Sequence, residues 1–156
     1  MREIPLTQGK VALVDDADYE SLAQHKWFAQ RILHHWYAVR RGGRTYMHRE
    51  ILKPGPGEQC DHVDGNGLNN LRSNLRRCTP SQNQQNRRKQ VGTKNSLKGT
   101  RFHPRGRAKP WSASIWCWDG HHSLGYYATE EEAARAYDAA AREKFGEFAL
   151  CNFPES

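Results

Sequence analysis

The sequence lacks cysteine pairs, long apolar runs and an excess of acidic residues. Its four cysteines, Cys60, Cys78, Cys117 and Cys151, include no CxxC pair, and we therefore expect no structural zinc site. No apolar stretch approaches the length of a membrane span. The first residues, MREIPLTQGK, contain no apolar run of the kind a signal peptide needs. These absences predict a cytoplasmic protein with reduced thiols and no membrane contact.

Hydrophobic residues make up 37% of the 156 positions, and the mean hydropathy is −0.95. This composition allows only a modest hydrophobic core, which suits two small modules better than one large one. Five tryptophans and six tyrosines exclude a disordered chain. The 24 lysines and arginines exceed the 17 acids, giving a net charge of +7. A basic surface attracts polyanions, nucleic acid above all, although solubility alone is the simpler explanation.

Turn-forming and basic stretches divide the chain into three segments. Residues 1–53 predict strands at 10–14, 36–40 and 44–48, with a helix that begins near Asp15, Asp16 and Asp18. We interpret those aspartates as a helix start and not as a metal site. The stretch KPGPGEQ at 53–59 forbids regular structure. The second segment runs to about residue 90, and VGTKNSL at 91–97 is the predicted linker.

The second segment holds an asparagine-rich stretch, CDHVDGNGLNNLRSNLRRCTPSQNQQN, at 60–86. It predicts a strand over 60–63, a turn-rich loop, a second strand over 74–78 and a helix. Thr79, Pro80 and Gln82 form the signature of a capped helix start. This layout puts Asp61 and His62 at the end of a strand. Asn83 and Asn86 would lie on one face of the helix that follows.

Oxygen donors from a strand and a helix can then meet around one cation. Asp61 offers a carboxylate and Asn83 an amide carbonyl, the hard ligands that suit Mg²⁺. His62 could deprotonate a water that attacks phosphorus. Hydrolysis of a phosphodiester needs such a nucleophile and a cation that neutralises developing charge. The simpler interpretation is a solvated loop with an accidental Asp-His pair.

Residues 46–87 resemble the HNH endonuclease family, in the form common to phage and intron-associated homing endonucleases. The resemblance rests on MHREIL and on the stretch from Asp61 to Asn86. It implies a ββα-metal motif over about 59–88 within a nuclease domain at 1–90. By resemblance, His62 is the general base, Asn74 holds the loop and orients that base, and Asp61 and Asn83 bind the metal. Asparagine at position 83 favours Mg²⁺ or Mn²⁺ over zinc.

The resemblance leaves the roles of two further residues open. Asn86 is the alternative to Asn83 as a metal ligand. His48 matches a histidine often found upstream of the motif, and it either contacts phosphate or supports the fold. We favour support.

The third segment, 98–156, predicts an antiparallel sheet followed by one helix. Aromatic strand residues flank the hairpin signal Asp119-Gly120. Thr129 and Glu132 match a capping box, Ala133 and Tyr137 begin an apolar helix face, and Gly146 is a helix stop. The expected fold class is therefore α+β, with a β-rich N-terminal part carrying the nuclease motif and a three-stranded sheet packed on one helix.

This segment resembles the AP2/ERF DNA-binding domain in KGTRFHPRGRAKPWSASI, in LGYYATEEEAARAYDAAAREKFGE and in LCNFP. The resemblance implies a sheet that reads the major groove and a helix that supports it. The implied DNA contacts are Lys98, Arg101, His103, Arg105, Arg107, Trp116 and His121. Several of these positions differ from the plant factors, so we transfer no sequence specificity. Trp116 and Trp118 are predicted on one face of a strand.

Together these features predict a metal-dependent endonuclease acting on double-stranded DNA, in the cytoplasm of a bacterial or phage-infected cell. Mg²⁺ or Mn²⁺ is the expected cofactor, without a small-molecule cofactor, and the oligomeric state is left open. The alternative is a DNA-binding transcription regulator with an inactive nuclease fold. RNA cleavage and nonspecific DNase action are less favoured, because the C-terminal module points to duplex DNA.

Overall fold

The computed structural model describes residues 1–40, 42, 44–86, 96–104 and 108–153. The chain divides into two compact units, Met1–Asn83 and Gln84–Ser156. The domain bounds given from the sequence, 1–90 and 98–156, stay a prediction. Of the predicted linker, residues 91–95 lie outside the described residues. No helix of the described part is long and apolar enough to cross a membrane.

The first unit contains three small sheets. Its elements are β1 (Arg2–Pro5), β2 (Val11–Val14), α1 (Asp16–Ala23), β3 (Phe28–Ile32), β4 (His35–Arg40), β5 (Thr45–Tyr46), α2 (Met47–Leu52), β6 (Gln59–His62), β7 (Leu75–Cys78) and α3 (Pro80–Gln85). β1 pairs with β2, β3 with β4 and β4 with β5, and β6 with β7, all antiparallel. One core, including Val14, Leu22, Trp27 and Met47, joins β1, β2, α1, β4, α2 and β7.

The sequence predicted a strand over 44–48, and this prediction is wrong for Met47 and His48. Only Thr45–Tyr46 is extended, and Met47–Leu52 is helical. Met47, His48 and Ile51 are the buried residues of that helix. Their spacing puts them on one helix face, so burying Met47 and Ile51 in the common core outweighs the strand tendency of Thr45 and Tyr46. β1 and β3 were not predicted.

The second unit is a three-stranded antiparallel sheet with one long helix. Its elements are β8 (Thr100–Phe102), β9 (Trp111–Cys117), β10 (Gly120–Tyr127), α4 (Glu130–Phe145) and a 3₁₀ turn (Gly146–Phe148). The strand order is β10-β9-β8, and Trp118 and Asp119 form the hairpin turn. This confirms the predicted hairpin and the mixed α and β character of the chain.

Helix α4 begins and ends where predicted. Thr129 Oγ1 accepts from Glu132 N at 3.1 Å, and Gly146 is the C-cap at φ 53°. Glu132 reaches back to Ala128 N, one residue before the cap. The buried helix face includes Ala133, Tyr137 and Ala141, which pack against the sheet. It also includes Asp138, whose carboxylate accepts from the backbone N–H groups of Asn152 and Phe153.

Candidate active site

Two short strands hold the predicted catalytic residues. β6 ends with Asp61 and His62, both 6% exposed. β7 returns antiparallel, so Asp61 lies opposite Arg76 and His62 opposite Leu75. Leu75 belongs to the core of the first unit. Its burial fixes the strand pair and therefore the position of both site residues.

Helix α3 follows β7 directly and carries Asn83. Thr79 Oγ1 accepts from Gln82 N at 3.3 Å, and Gln82 Oε1 accepts from Thr79 N at 2.8 Å. This reciprocal pair confirms the predicted capping box. Asn83 Nδ2 donates to Gln59 Oε1 at 2.7 Å. Gln59 and Asp61 are two residues apart in β6 and share one side of the strand, so Asn83 is tied to the side that carries Asp61.

The alternative ligand, Asn86, follows the last residue of α3, Gln85, and belongs to the second compact unit. The helix thus ends before Asn86, whereas the sequence predicted one helix face for both asparagines.

His62 is a buried, neutral imidazole. Burial lowers its pKa, partly offset by the hydrogen bond with Asn70 and by the charges of Asp64 and Asp61. Its Nε2 lies 3.4 Å from Asn70 Oδ1. The Asn70 amide is oriented by its own Nδ2, which donates to the Leu68 carbonyl at 3.1 Å. Because an amide oxygen only accepts, this contact fits the tautomer in which Nε2 carries the proton and Nδ1 is the basic nitrogen.

Asn74 holds the loop between the strands. Its Oδ1 accepts from Asp64 N at 3.0 Å, and its Nδ2 donates to Asp64 Oδ1 and to the Asn69 carbonyl. Its own carbonyl accepts from Val63 N at 2.9 Å. The amide side chain within hydrogen-bond reach of the His62 ring is Asn70, which is fully buried and was not predicted as a site residue. Asn74 therefore contacts the loop through Asp64 and Asn69, and the imidazole contact belongs to Asn70. The role predicted for Asn74 in orienting the base stays a prediction.

Asp61 is held by an arginine that the sequence did not reveal. Arg76 Nε and Nη2 donate to Asp61 Oδ2 at 2.9 and 2.7 Å. The side chains are 14% and 7% exposed for Arg76 and Asp61. A bound cation at Asp61 would therefore share the carboxylate with a guanidinium or displace it.

His48 lies against His62, with ring centroids 4.9 Å apart and planes at 87°. Burial, followed by the charges of His62 and Arg49, lowers its pKa to about 3. Its Nδ1 is buried without a hydrogen-bond partner. Tyr46 and Tyr37 contact the same ring, with centroids 5.3 and 5.9 Å away. His48 is thus one member of a buried aromatic cluster behind the candidate base.

The chain is similar to an uncharacterized HNH endonuclease of Acanthamoeba polyphaga mimivirus. The two are 33% identical over 152 residues, which cover 93% of this chain and 76% of the viral protein. The chain belongs to the HNH endonuclease family. No family model matches the sequence, and no solved structure matches it.

In this HNH protein, the N-terminal elements anchor the loop between β6 and β7. Leu13 in β2 donates its N–H to the Leu68 carbonyl and accepts from Asn70 N, at 2.9 and 2.8 Å. Arg72 Nε and Nη2 donate to the two carboxylate oxygens of Asp18 at 2.7 Å each. Asp15 Oδ2 accepts from Arg72 N. The aspartates expected only to start α1 therefore also fix the HNH loop.

Glycine is required where this loop crosses β4. A Cβ at Gly67 would collide with the Trp36 carbonyl and the Tyr37 ring. Tyr37 also faces His62, with ring centroids 6.1 Å apart. The loop backbone therefore packs directly against the Tyr37 ring, which lies behind the candidate base.

An open basic cleft lies beside α2 of the HNH unit, with a volume of about 360 Å³. It is lined by Arg40, Arg44, Thr45, Tyr46, Arg49, Glu50 and Lys53. Arg40 pairs with Glu50 at 2.7 Å. The ring of Tyr46 contacts His48, which contacts His62. A cationic surface is therefore joined to His62, the candidate base, through two ring contacts.

In the second unit, the sheet face opposite α4 carries several predicted DNA contacts. Buried Ala113 and Ile115 alternate with Ser112 and Trp116, which therefore point away from the helix. Arg101 and Tyr126 lie opposite Ser112 on the neighbouring strands.

The predicted His103, Trp116 and His121 also have polar or open surroundings. His103 Nε2 lies 2.9 Å from Ser112 Oγ. The Trp116 ring is 74% exposed and lies 4.9 Å from His121. Trp118, predicted on the same strand face as Trp116, lies in the hairpin turn and is 88% exposed.

Lys98 was predicted as a DNA contact, and that role stays a prediction. Its Nζ donates to the carbonyls of Gln85 and Leu150 and lies 5.7 Å from the Tyr137 ring centroid. Burial lowers its pKa. The ammonium group is therefore engaged within the module. Arg105 and Arg107 lie outside the described residues.

Proposed function

We propose that the chain is a divalent-metal-dependent DNA endonuclease, with an AP2/ERF-like C-terminal module that binds duplex DNA. The observation that supports this most is the buried His62, neutral and oriented by Asn70, directly after Asp61. A neutral imidazole is the form that accepts a proton from an attacking water. Family membership supports the same chemistry.

The donor set at the site fits Mg²⁺ or Mn²⁺. Asp61 contributes a carboxylate, and the Asn83 amide, held through Nδ2 by Gln59, contributes its carbonyl oxygen. A bound cation would neutralise negative charge that develops on the phosphate. Arg76 keeps the Asp61 carboxylate in place at the strand end. Asn74 and Asn70 keep the loop and the imidazole fixed.

The basic cleft is the proposed path of the DNA backbone across the nuclease unit. Arg44, Arg49 and Lys53 carry positive charge there, and Arg40 is already neutralised by Glu50. Phosphate contacts of this kind position a substrate without reading its sequence. The DNA sequence would then be read by the outer sheet face of the second unit, through Arg101, His103, Trp116 and His121.

Plasmid cleavage with Mg²⁺ tests the nuclease assignment. We expect His62→Ala and Asp61→Ala to lose nearly all activity, by about a hundredfold or more. His25→Ala is the matched control, because His25 is exposed in the same unit and should remain fully active. Full activity in both site variants would overturn the assignment.

A DNA-binding regulator with an inactive nuclease fold is the second candidate. The Asp61–Arg76 pair favours it, since the carboxylate already has a buried counter-ion. The two candidates separate in a Mn²⁺ titration of the full chain, compared with Asp61→Asn. Binding that weakens in the variant supports the nuclease, whereas DNA binding without any metal-supported cleavage supports the regulator.

A further inference from the structure

Three side chains of different metal-binding chemistry meet at the tip of the β9–β10 hairpin. Cys117 ends β9, Asp119 lies in the turn and His122 follows in β10. The Cys117 sulfur, an Asp119 carboxylate oxygen and a His122 ring nitrogen all lie within 4.8 Å of one another. His122 Nε2 is already 2.9 Å from Asp119 Oδ1.

Little movement would bring these atoms onto one tetrahedral ion. Metal–ligand bonds of about 2.0–2.3 Å place neighbouring ligands of a tetrahedral zinc about 3.3–3.8 Å apart. The His122–Asp119 pair, at 2.9 Å, needs to open by about 0.4 Å, and the distances from the Cys117 sulfur, 4.8 Å at most, need to close by up to about 1.5 Å. Asp119 and His122 are partly solvent-exposed, 32% and 36%, and can make that adjustment.

Contacts with helix α4 support the tip of the hairpin. Cys117 packs against the core that contains Ile115, Tyr137 and Phe145. Lys144, in the last turn of α4, places its Nζ 3.7 Å from Asp119 Oδ2. The C-terminal end of a helix favours positive charge. The ammonium group is a positively charged neighbour of Asp119, and a divalent ion would compete with it for that carboxylate.

We propose that Cys117, Asp119 and His122 form a binding site for Zn²⁺, or for Co²⁺ in its place, apart from the nuclease site. A thiolate, an imidazole and one carboxylate are a ligand set that zinc accepts, and three protein ligands leave one position for water. The earlier expectation of no zinc site considered only paired cysteines. The bound ion would cross-link both strands of the hairpin beside the exposed Trp116 and Trp118.

Titration of the full-length, reduced protein with Co²⁺ tests the site, because a thiolate ligand gives a charge-transfer band in the near ultraviolet. We expect this band at one equivalent, reversed by Zn²⁺. Cys117→Ser should abolish it, and Asp119→Asn and His122→Gln should weaken Co²⁺ binding at least about tenfold. Circular dichroism of each variant checks that it has folded.

Cys60→Ser and Cys151→Ser are the matched controls, since both thiols are half-buried like Cys117. Both should keep the band. The Cys60 variant matters most, because Cys60 neighbours Asp61 and could contribute a thiolate to a metal at the nuclease site. Absence of the band in the native protein, or its survival in Cys117→Ser, would refute the proposal.

Lys144→Gln gives an independent readout. Removing the ammonium group relieves repulsion of the incoming ion, so Co²⁺ should bind roughly three- to tenfold more tightly. Zn²⁺ should also raise the melting temperature of the native protein by more than it raises that of His122→Gln. Equal Co²⁺ affinity in Lys144→Gln and the native protein would contradict the proposed position of the ion.

Discussion

Asp61 and Arg76 form an ion pair that is almost wholly removed from solvent. Breaking such a pair by deleting one partner leaves a buried charge without compensation. We expect Arg76→Gln to lower the free energy of unfolding by about 3 kcal/mol. Mn²⁺ should restore part of that loss, since the cation would replace the guanidinium at Asp61. Chemical denaturation with and without Mn²⁺ measures both effects.

Arg77→Gln is the control for this experiment. Arg77 is the next residue of the same strand, is exposed, and donates to the Leu52 carbonyl. Its loss should cost about 1 kcal/mol and show no recovery with Mn²⁺. Equal recovery in both variants would show that the metal does not act through Asp61.

The buried histidines predict an acid-sensitive nuclease unit. The pKa of His48 in the folded protein is about 3, below its ordinary value of 6.5. The unfolded chain therefore binds the proton first as pH falls below about 6.5, and the stability contributed by neutral His48 is lost from there downward. Between pH 7 and pH 5 the loss from this residue alone is about 2 kcal/mol. The lowered pKa of His62 adds in the same direction.

Urea denaturation at the two pH values tests this expectation. His48→Gln should reduce the pH dependence of stability, whereas His25→Gln, at an exposed position, should leave it unchanged. A pH dependence that survives intact in His48→Gln would mean that other groups cause it.

At the scale of elements, the loop between β6 and β7 depends on contacts with α1. Arg72 is about half exposed, at 53%, while Asp18 is 12% exposed. We expect Asp18→Asn to cost at most about 1 kcal/mol of global stability. The larger effect should be local, seen as faster hydrogen exchange at amides of residues 64–73. Glu20→Gln, which removes the exposed pair with Arg2, should leave exchange in the loop unchanged.

Local sequence signals predicted the elements that depend on local chemistry. Both capping boxes, the β9–β10 turn and the Gly146 helix stop follow from side chains a few residues apart. Tertiary packing decided the others. Met47 and His48 joined a helix because Met47 belongs in the shared core. The spacing of Met47 and Ile51 fits one helix face, but the burial of that face depends on residues far away in the sequence.

The residues of the candidate site also differ in whether local sequence signals could predict them. Asp61 and His62 were found from adjacent residues and the family resemblance. Arg76 could have been found only from the register of β6 and β7, in which it lies opposite Asp61. Asn70 could not be separated from neighbouring asparagines, because its role depends on a contact with β2 made through Leu13.

At the scale of the whole molecule, two compact units carry the proposed cleavage and DNA-binding surfaces. Joining two DNA-contacting units raises the effective concentration of each on one DNA. We expect binding of full-length protein to duplex DNA, measured by fluorescence anisotropy in EDTA, to weaken steeply with salt. Arg49→Gln should reduce the log–log salt slope by about 1, because Arg49 lines the basic cleft proposed to contact phosphate.

The anisotropy control is Lys26→Gln, because Lys26 is exposed in the first unit and does not line the basic cleft. Its salt slope should equal that of the native protein. A native slope near zero between low and moderate salt would contradict electrostatic binding by either unit.

The attachment of the HNH loop to Leu13, Asp15 and Asp18 also concerns the order in which the chain folds. These partners leave the ribosome more than fifty residues before Arg72, as the separation of 57 positions between Asp15 and Arg72 shows. During synthesis the loop therefore emerges beside a surface that is already available. A circular permutant that begins in the glycine- and proline-rich stretch at 53–59 would reverse this order. In this permutant the loop would be synthesised before Leu13, Asp15 and Asp18. It would be prone to misfold until these residues are available.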